Sequence, residues 1–478
     1  MYEVGEIFAL MKKPPSDADR ELIGQAFNFA DKAHQGQFRA SGEPYFTHPV
    51  AVAKILAEMR VDATTIAASL LHDTIEDGVA TEKEIEKEFG KEILFLVEGV
   101  TKLGKLKYRG LKRHAESLRK MLVAMAKDIR VIMIRFADRL HNVQTLRFVR
   151  PEKQKRIADE TIEIYAPLAN RLGMWRVKGL LEDSAFPYAE PEAYKKVIAL
   201  RKTKGKETIK KLQKMYRTIH IKLVEQGITR VQVDYRVKYL YSLYQKLLKN
   251  NMDISQIYDI SALRIIVPTV AECYQVLGIV HQLWRPMSGR LKDYIATPKP
   301  NGYRSIHTTV MTGDGGGAEI QIRTREMNEE AEFGVASHVY YDEAGKPLAG
   351  GTLDKKLRWI EHLVTWQKNV KESEEFLTSL KTDFFENQIF VFTPKGDVIE
   401  LPVGSTPIDF AYRVHTDIGH HAAGAKVNGK MVHLDHQLKN HDLVEIDVRK
   451  NAHPSARWLD YTKTAFAKKQ IKIFLKED

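Results

Sequence analysis

The stretch LLHDTIEDG, residues 70–78, puts one histidine and three carboxylates within six positions, directly after an apolar run. Left unpaired, the carboxylates of Asp73, Glu76 and Asp77 repel one another, and burying any of these charges is costly. On a helix, His72 and Glu76 stand four apart, as do Asp73 and Asp77, while Asp73 and Glu76 stand three apart. The group can then face one cavity; a helix that frays after Asp73 keeps this only approximately. A solvated helix end explains such a cluster, and so does a bound cation. Two other segments add weight to the cation: YFTHPV supplies His48 and RFADRLHN supplies Asp138. Two imidazoles and two carboxylates, from His48, His72, Asp73 and Asp138, suit a divalent ion with room for water. Ligand type alone does not separate manganese from iron or zinc. Asp138 beside Arg139 also fits a surface ion pair, a reading weakened by the other three ligands, and His141 fits a core histidine.

A second polar concentration lies further along. Read as a strand, YRSIHTTV (303–310) places Tyr303, Ser305 and His307 on one face and Arg304, Ile306 and Thr308 on the other. In AEIQIRT, Ile320 and Ile322 face a core while Glu319, Gln321 and Arg323 share the opposite side. A buried sheet seldom lines a face with such groups unless something polar binds there, although a half-exposed strand fits the same pattern. Asp259 stands just ahead of the apolar strand ALRIIV, and GRLKDYIATPKPNGYRS contributes Arg290, Lys292, Lys299 and a turn at Asn301-Gly302. Cations this dense beside a carboxylate pair suit a polyphosphate with magnesium. There is no GxxxxGK[ST] loop, so a nucleotidyltransferase-type site on a sheet fits better than a P-loop.

The elements that must position these groups fall into blocks. Residues 1–195 carry helix-period patterns with almost no alternation, which predicts an all-α domain. A lysine-rich segment follows, with nine Lys or Arg and the single acid Glu207 between Arg201 and Lys222; residues 196–225 are expected to be a connecting basic helix, for which a solvated face is the commoner account than an RNA-binding stripe. Residues 226–342 mix strands (VQVDYRVK, ALRIIVP, YRSIHTTV, AEIQIRT) with helices, an α/β domain around a sheet. A Gly-rich break and helical segments with Trp359 and Trp366 occupy 343–387. Residues 388–450 read as a small β-grasp-like module, and 451–478 as an amphipathic helical region.

At 478 residues there is room for two to four domains, each with its own core. The formal charge of +12 favours polyanionic partners such as nucleotides or RNA. One cysteine, Cys273, excludes internal disulfides and any cysteine-based zinc site, so a metal must use His, Asp and Glu. Glu3 and Glu6 stand where a signal peptide would be positive, and no apolar run approaches ~18 residues, so a cytoplasmic protein without a membrane span is expected.

The order H, HD, D across a helical domain is that of the HD phosphohydrolase superfamily. Within it, HQGQFRASGEPYFTHPVAVA, LLHDTIEDG and RFADRLHNVQTL closely resemble the hydrolase domain of the RelA/SpoT homologues, which make and destroy the alarmone (p)ppGpp in the stringent response. The resemblance implies Mn2+ held by His48, His72, Asp73 and Asp138, Glu76 and Asp77 as acid/base groups for the activated water, and Arg39 and Asn142 as nucleotide contacts. IYDISALRIIVP, GRLKDYIATPKPNGYRSIHTTV and AEIQIRTREMNEEAEFGVASH resemble the family's synthetase domain, which transfers pyrophosphate from ATP to the 3′-hydroxyl of GDP or GTP. That implies Asp259 on Mg2+, Glu319 as base on the ribose hydroxyl or second metal ligand, and Tyr303 stacked on guanine. Arg236, Lys238, Lys246, Lys299 and Arg323 would neutralise phosphate, with Asn301 and His307 as further contacts.

The tetrad RLKD, Arg290 to Asp293, matches the basic form of bifunctional members. Tyr235 departs from the family's usual glycine before Arg236, which leaves open a predominantly hydrolytic enzyme with a weak synthetase. IFVFTPKGDVIELPVGSTPIDFAYRVHTDIGHHAAGAKVNGK resembles the TGS domain, which implies uncharged tRNA and the ribosome as partners, with His420 an RNA contact. An RNA-tethered sensor with vestigial enzyme sites is the remaining alternative. Family members continue into further regions; the chain ends inside what resembles the first of these, by truncation or as a naturally short member. Since two opposed activities would only consume ATP, opposed states coupled through residues 195–225 are expected.

Overall fold

A computed structural model describes residues 3–101, 110–299, 301–312, 316–338, 359–360, 363–364, 367, 372–385 and 388–477. The chain forms two compact units, one holding residues up to 106 and 120–363, the other 107–119 and 364–478.

The first unit opens with helices α1 (Gly5–Leu10), α2 (Asp17–Ala33), α3 (Thr47–Glu58), α4 (Ala63–Leu71), α5 (Glu82–Thr101), α6 (Gly110–Lys127), α7 (Arg130–Gln144), α8 (Pro151–Glu160), α9 (Ala166–Arg171) and α10 (Trp175–Ala189). Their starts follow from capping chemistry: Ser16 and Asp19 make a reciprocal capping box at α2, and the Asp62 carboxylate accepts the Thr65 N–H at α4. α4 reads ATTIAASLL, without a charge, and all of it except Thr64 is buried. An apolar-all-round helix belongs in the core, and its end carries His72 inside with it. α7 is buried along most of its length and delivers Asp138. The helix expected through LLHDTIEDG stops at Leu71; residues 72–78 form successive turns, ending at Gly78 with φ +73°.

α11 (Pro191–Glu225) includes the lysine-rich run and leads into a sheet of order β1-β2-β5-β4-β3: β1 (Gln232–Val237), β2 (Ser261–Val267), β3 (Lys292–Asp293), β4 (Ile306–Met311) and β5 (Gly317–Thr324). β2 and β5 run parallel and the other pairs antiparallel. α12 (Leu240–Lys249), α13 (Val270–Leu283) and α14 (Arg325–Phe333) complete it. Leu212, Met215, Ile219 and Leu223 of α11 and Val276, Ile279 and Val280 of α13 pack on one face against Leu263, Ile265, Ile306, Ile320 and Ile322. Two expectations change. The strand predicted from Tyr303 begins only at Ile306. The polar side of β5 is not half-exposed, since Gln321 and Arg323 are as buried as the isoleucines between them.

α10 docks the helical part onto the sheet part. A Cβ on Gly179 would fall 2.2 Å from the Tyr239 ring, and the Asp183 carboxylate accepts the N–H groups of Leu240 and Tyr241 at 3.0 Å each, capping α12 from outside. Contact between the two parts is therefore not confined to 195–225.

In the second unit a hairpin, β6 (Gln388–Phe392) with β7 (Val398–Pro402), is joined by a parallel bridge at Phe392–Leu443 to a three-stranded sheet of β8 (Ala422–Val427), β9 (Lys430–Val432) and β10 (Val444–Val448). The Asn428-Gly429 turn takes positive φ at both residues, as a tight hairpin needs. Buried Asp409 accepts N–H groups from Lys463 and Thr464, tying the C-terminal helix to this module. The Gly-rich break and Trp366 lie outside the described residues. No helix among the described residues is long and apolar enough to cross a membrane.

Candidate functional site

Three elements bring the first cluster together. His48 sits in the first turn of α3, His72 and Asp73 just beyond α4, and Asp138 on α7. His48 Nε2 is 3.3 Å from Asp138 Oδ1 and 3.5 Å from Asp73 Oδ2, and His72 Nε2 is 3.2 Å from Asp73 Oδ1. Donor atoms of His48, His72 and Asp138 all lie within 4.8 Å of one another.

The protons on the imidazoles follow from their other contacts. His72 Nδ1 donates to Ser69 O at 2.6 Å, which in the neutral ring leaves Nε2 as the lone pair; that buried Nε2 makes no hydrogen bond. Arg39 Nη1, which can only donate, is 3.1 Å from His141 Nδ1, so this nitrogen is an acceptor. His48 Nδ1 therefore donates to it at 2.7 Å, which in the neutral ring leaves Nε2 as the lone pair. Two neutral imidazoles in these tautomers turn lone pairs toward the carboxylates, an arrangement that a cation between them would relieve. The donor set fits a divalent ion.

Around these four stand groups that hold them. Asn142 Nδ2 donates to Asp138 Oδ1 at 2.5 Å and Arg135 Nη1 to Asp138 Oδ2 at 3.0 Å. Burial alone would raise the Asp138 carboxyl, yet His48 and Arg135 beside it hold it far below the usual range. Burial, with His48 and Arg39 beside it, pushes His141 down to about 3, so it stays neutral as an acceptor should. The core-histidine reading of His141 thus gives way to a partner of His48. Glu76 and Asp77 are shifted upward, first by burial and then by Asp73, which suits groups that trade protons. Arg39 reaches Asn142 Oδ1 and Thr145 Oγ1, both at 3.3 Å, so the two expected nucleotide contacts stand side by side.

The second cluster lies on the sheet face away from α11. Asp259 pairs with Lys238 and, at 2.7 Å, with Lys246. Tyr303 Oη and His307 Nε2 are 2.8 Å apart, and His307 Nδ1 is 3.3 Å from Glu319 Oε1, a chain in which the phenol donates to the imidazole and the imidazole to the carboxylate. Burial raises Glu319, but His307, Gln321 and Lys238 outweigh it and bring it down to about 2. Gln321 donates to Glu319 at 2.7 Å and accepts from Arg236 at 3.1 Å. Arg323 is buried, 3.9 Å from Glu332.

Lys299 is enclosed by three rings, its Nζ 4.6 Å from the centroid of Tyr294, 5.0 Å from Tyr303 and 5.3 Å from Trp175. Burial, with Lys292 and Arg236 nearby, pushes Lys299 down to about 8. Asn301 donates to Asn170 O at 3.1 Å. Tyr303 is only 8% exposed, so its ring is already covered by neighbours. Tyr235 pairs across from Leu263 and its ring lies 5.8 Å from Tyr216 of α11; it faces away from Glu319 and Arg236.

In the second unit His420 is half-buried between Tyr412 and Phe474, with ring centroids 5.6 and 4.8 Å away. Sequence reasoning missed Arg135, Trp175 and Tyr45. For Arg135 the three-residue spacing to Asp138 on a helix was a usable signal; for Trp175 there was none, because its partners at the site, Lys299 and Tyr303, lie over 100 positions away.

The family described as "HD domain" matches residues 26–175, "Region found in RelA / SpoT proteins" matches 235–346 and "TGS domain" matches 389–447. A GTP pyrophosphokinase of Myxococcus xanthus is 47% identical over 465 residues, covering 96% of this chain and 61% of the relative. The bifunctional (p)ppGpp synthase/hydrolase SpoT of Escherichia coli K12 is 46% identical over 466 residues, covering 97% and 66%. The guanosine-3′,5′-bis(diphosphate) 3′-pyrophosphohydrolase of Aquifex aeolicus is 47% identical over 461 residues, covering 96% and 65%. The chain thus spans roughly three-fifths to two-thirds of the curated relatives it matches. Among solved structures, the small alarmone synthetase 2 from Bacillus subtilis aligns with 34% of this chain and 95% of its own, at 27% identity and a TM-score of 0.24.

Proposed function

Because the chain belongs to the RelA/SpoT family, with its HD, RelA/SpoT and TGS regions in order, we propose that it is a bifunctional alarmone enzyme. It hydrolyses the 3′-pyrophosphate of (p)ppGpp to GDP or GTP, and transfers pyrophosphate from ATP to the 3′-hydroxyl of GDP or GTP. The observation that carries the hydrolase half is the convergence of His48, His72 and Asp138, whose donor atoms lie within 4.8 Å of one another, with Asp73 beside both histidines.

His48, His72, Asp73 and Asp138 would hold the ion, taken to be manganese. Such an ion supplies positive charge for the phosphate and makes a bound water more acidic. Glu76 and Asp77, raised by burial, move protons to and from that water and the leaving nucleotide. Arg39 and Asn142, held together on one side, orient the substrate.

In the synthetase half the chain's own cations do most of the work, since pyrophosphate transfer needs alignment and charge neutralisation more than covalent help. Lys238, Lys246, Lys299, Arg236 and Arg323 take the phosphates, and Tyr303 would stack on guanine, with Asn301 and His307 beside it, once Trp175 and Lys299 uncover its ring. Asp259 and Glu319 would hold magnesium. A carboxylate brought down to about 2 is a weak base, so of the two roles for Glu319 metal ligation is the better supported. Tyr235 lies on the other face of its strand, which removes the side-chain ground for a feeble synthetase. The TGS region would take uncharged tRNA on the ribosome, with His420 near the contact, in the cytoplasm.

The test is to incubate purified protein with ATP and GDP under Mg2+, and separately with ppGpp under Mn2+, following guanine nucleotides. ppGpp should form in the first and GDP with pyrophosphate in the second. An inert preparation in either would remove that half.

A further inference from the structure

Tyr45 stands outside the ligand set, in the loop leading into α3. That loop doubles back: Tyr45 N–H donates to Gln37 O and Arg39 N–H to Glu43 O, both at 2.9 Å, and Phe38 and Pro44 form an isolated bridge. The Tyr45 ring lies on the His34 imidazole, centroids 4.8 Å apart and planes at 32°. His34 is buried, with Nδ1 2.9 Å from Gln37 Oε1. The same turn fixes a metal ligand, since His48 N–H donates to Tyr45 O at 2.9 Å.

The hydroxyl of this wedged ring emerges among the carboxylates. Tyr45 Oη donates to Asp73 Oδ2 at 2.8 Å. The phenol thereby fixes how Asp73 is turned: Oδ2, which takes the phenol, stands 3.5 Å from His48 Nε2, while Oδ1 faces His72 Nε2 at 3.2 Å. A carboxylate so held meets a cation in one orientation, as outer hydrogen-bond partners ensure in metal sites. A phenol has one proton and keeps it at neutral pH.

We propose that Tyr45 is a positioning residue of the hydrolase centre, its hydroxyl fixing the orientation of the Asp73 carboxylate toward His48 and His72. This rests on the hydrolase reading above. Tyr45→Phe removes the hydroxyl and keeps the ring on His34, whereas Tyr45→Ala removes both. Mn2+ uptake by the full chain without nucleotide is followed by the loss of the free-ion electron paramagnetic resonance signal, with His72→Ala as reference. Tyr45→Phe should weaken Mn2+ by about 10–100-fold, and at saturating Mn2+ lower kcat for ppGpp while leaving KM in place. If Tyr45→Phe matches the wild type and only Tyr45→Ala loses the ion, the ring merely packs and the proposal is overturned. If the wild type shows no uptake that His72→Ala abolishes, the hydrolase reading fails first and takes the proposal with it.

Discussion

In the hydrolase cluster, His48 and His72 turn Nε2 toward Asp73 and Asp138, and the groups behind them, His141 and Ser69, hold them so. In the synthetase cluster each carboxylate already meets a cation or donor of the chain: Asp259 has Lys238 and Lys246, Glu319 has His307 and Gln321. Both clusters are carboxylate-rich and partly buried, and in the first Asp138 meets Arg135 and Asn142 and Asp73 meets Tyr45; what differs is that two histidines turn Nε2 toward these carboxylates and the buried His72 Nε2 makes no hydrogen bond. The difference teaches how each would be assembled. The first would take a resident ion at these nitrogens. The second is self-neutralised, and its lysines would have to be drawn toward nucleotide phosphates before Asp259 and Glu319 could hold magnesium.

Crossed substitutions test that separation most severely. Asp73→Ala should lower ppGpp hydrolysis by about 10³-fold or more, since a ligand and its Tyr45 contact vanish together, while ppGpp formation from ATP and GDP continues. Glu319→Gln should lower synthesis by about 10²–10³-fold and spare hydrolysis. Both products measured on both variants decide it; loss of both activities in either variant would mean the clusters are not separable as described.

A smaller effect sharpens the same contrast through pH. Lys299 titrates near 8 in the folded chain. Above that it loses the charge that would meet a phosphate, so GDP or ATP affinity should fall, by up to about tenfold per pH unit, while Mn2+ uptake at the hydrolase centre shows no break there. Titration calorimetry on wild type and Lys299→Arg, whose guanidinium stays charged, should show the break only in the wild type. The sign for stability is opposite. Between about 8 and the ordinary lysine value the unfolded chain binds more protons than the folded one, so this group's contribution to stability rises with pH.

Much of the first site was legible because its chemistry resides in residue types: His48, His72, Asp73 and Asp138 are unusual company, and an apolar α4 had to carry His72 inward. What holds them was not legible. Tyr45 meets Asp73 across 28 positions and His48 meets His141 across 93, and no local period reports such pairs. The helix end at Leu71 escaped because helical spacing continues through Asp77 in the sequence while the backbone does not. On the sheet, alternation placed Glu319, Gln321 and Arg323 together, and they share a face. It could not tell that this face is buried, nor that the Tyr303 ring is covered by Trp175, which arrives from the helical part through tertiary packing.

The claim that one cluster is prebuilt for a cation and the other is not reduces to a count of ions. Nucleotide-free protein titrated with Mn2+ under paramagnetic resonance should bind one ion per chain tightly; His72→Ala should abolish that uptake and Asp259→Ala should leave it intact. No tightly bound ion, or one that survives His72→Ala, would contradict the account.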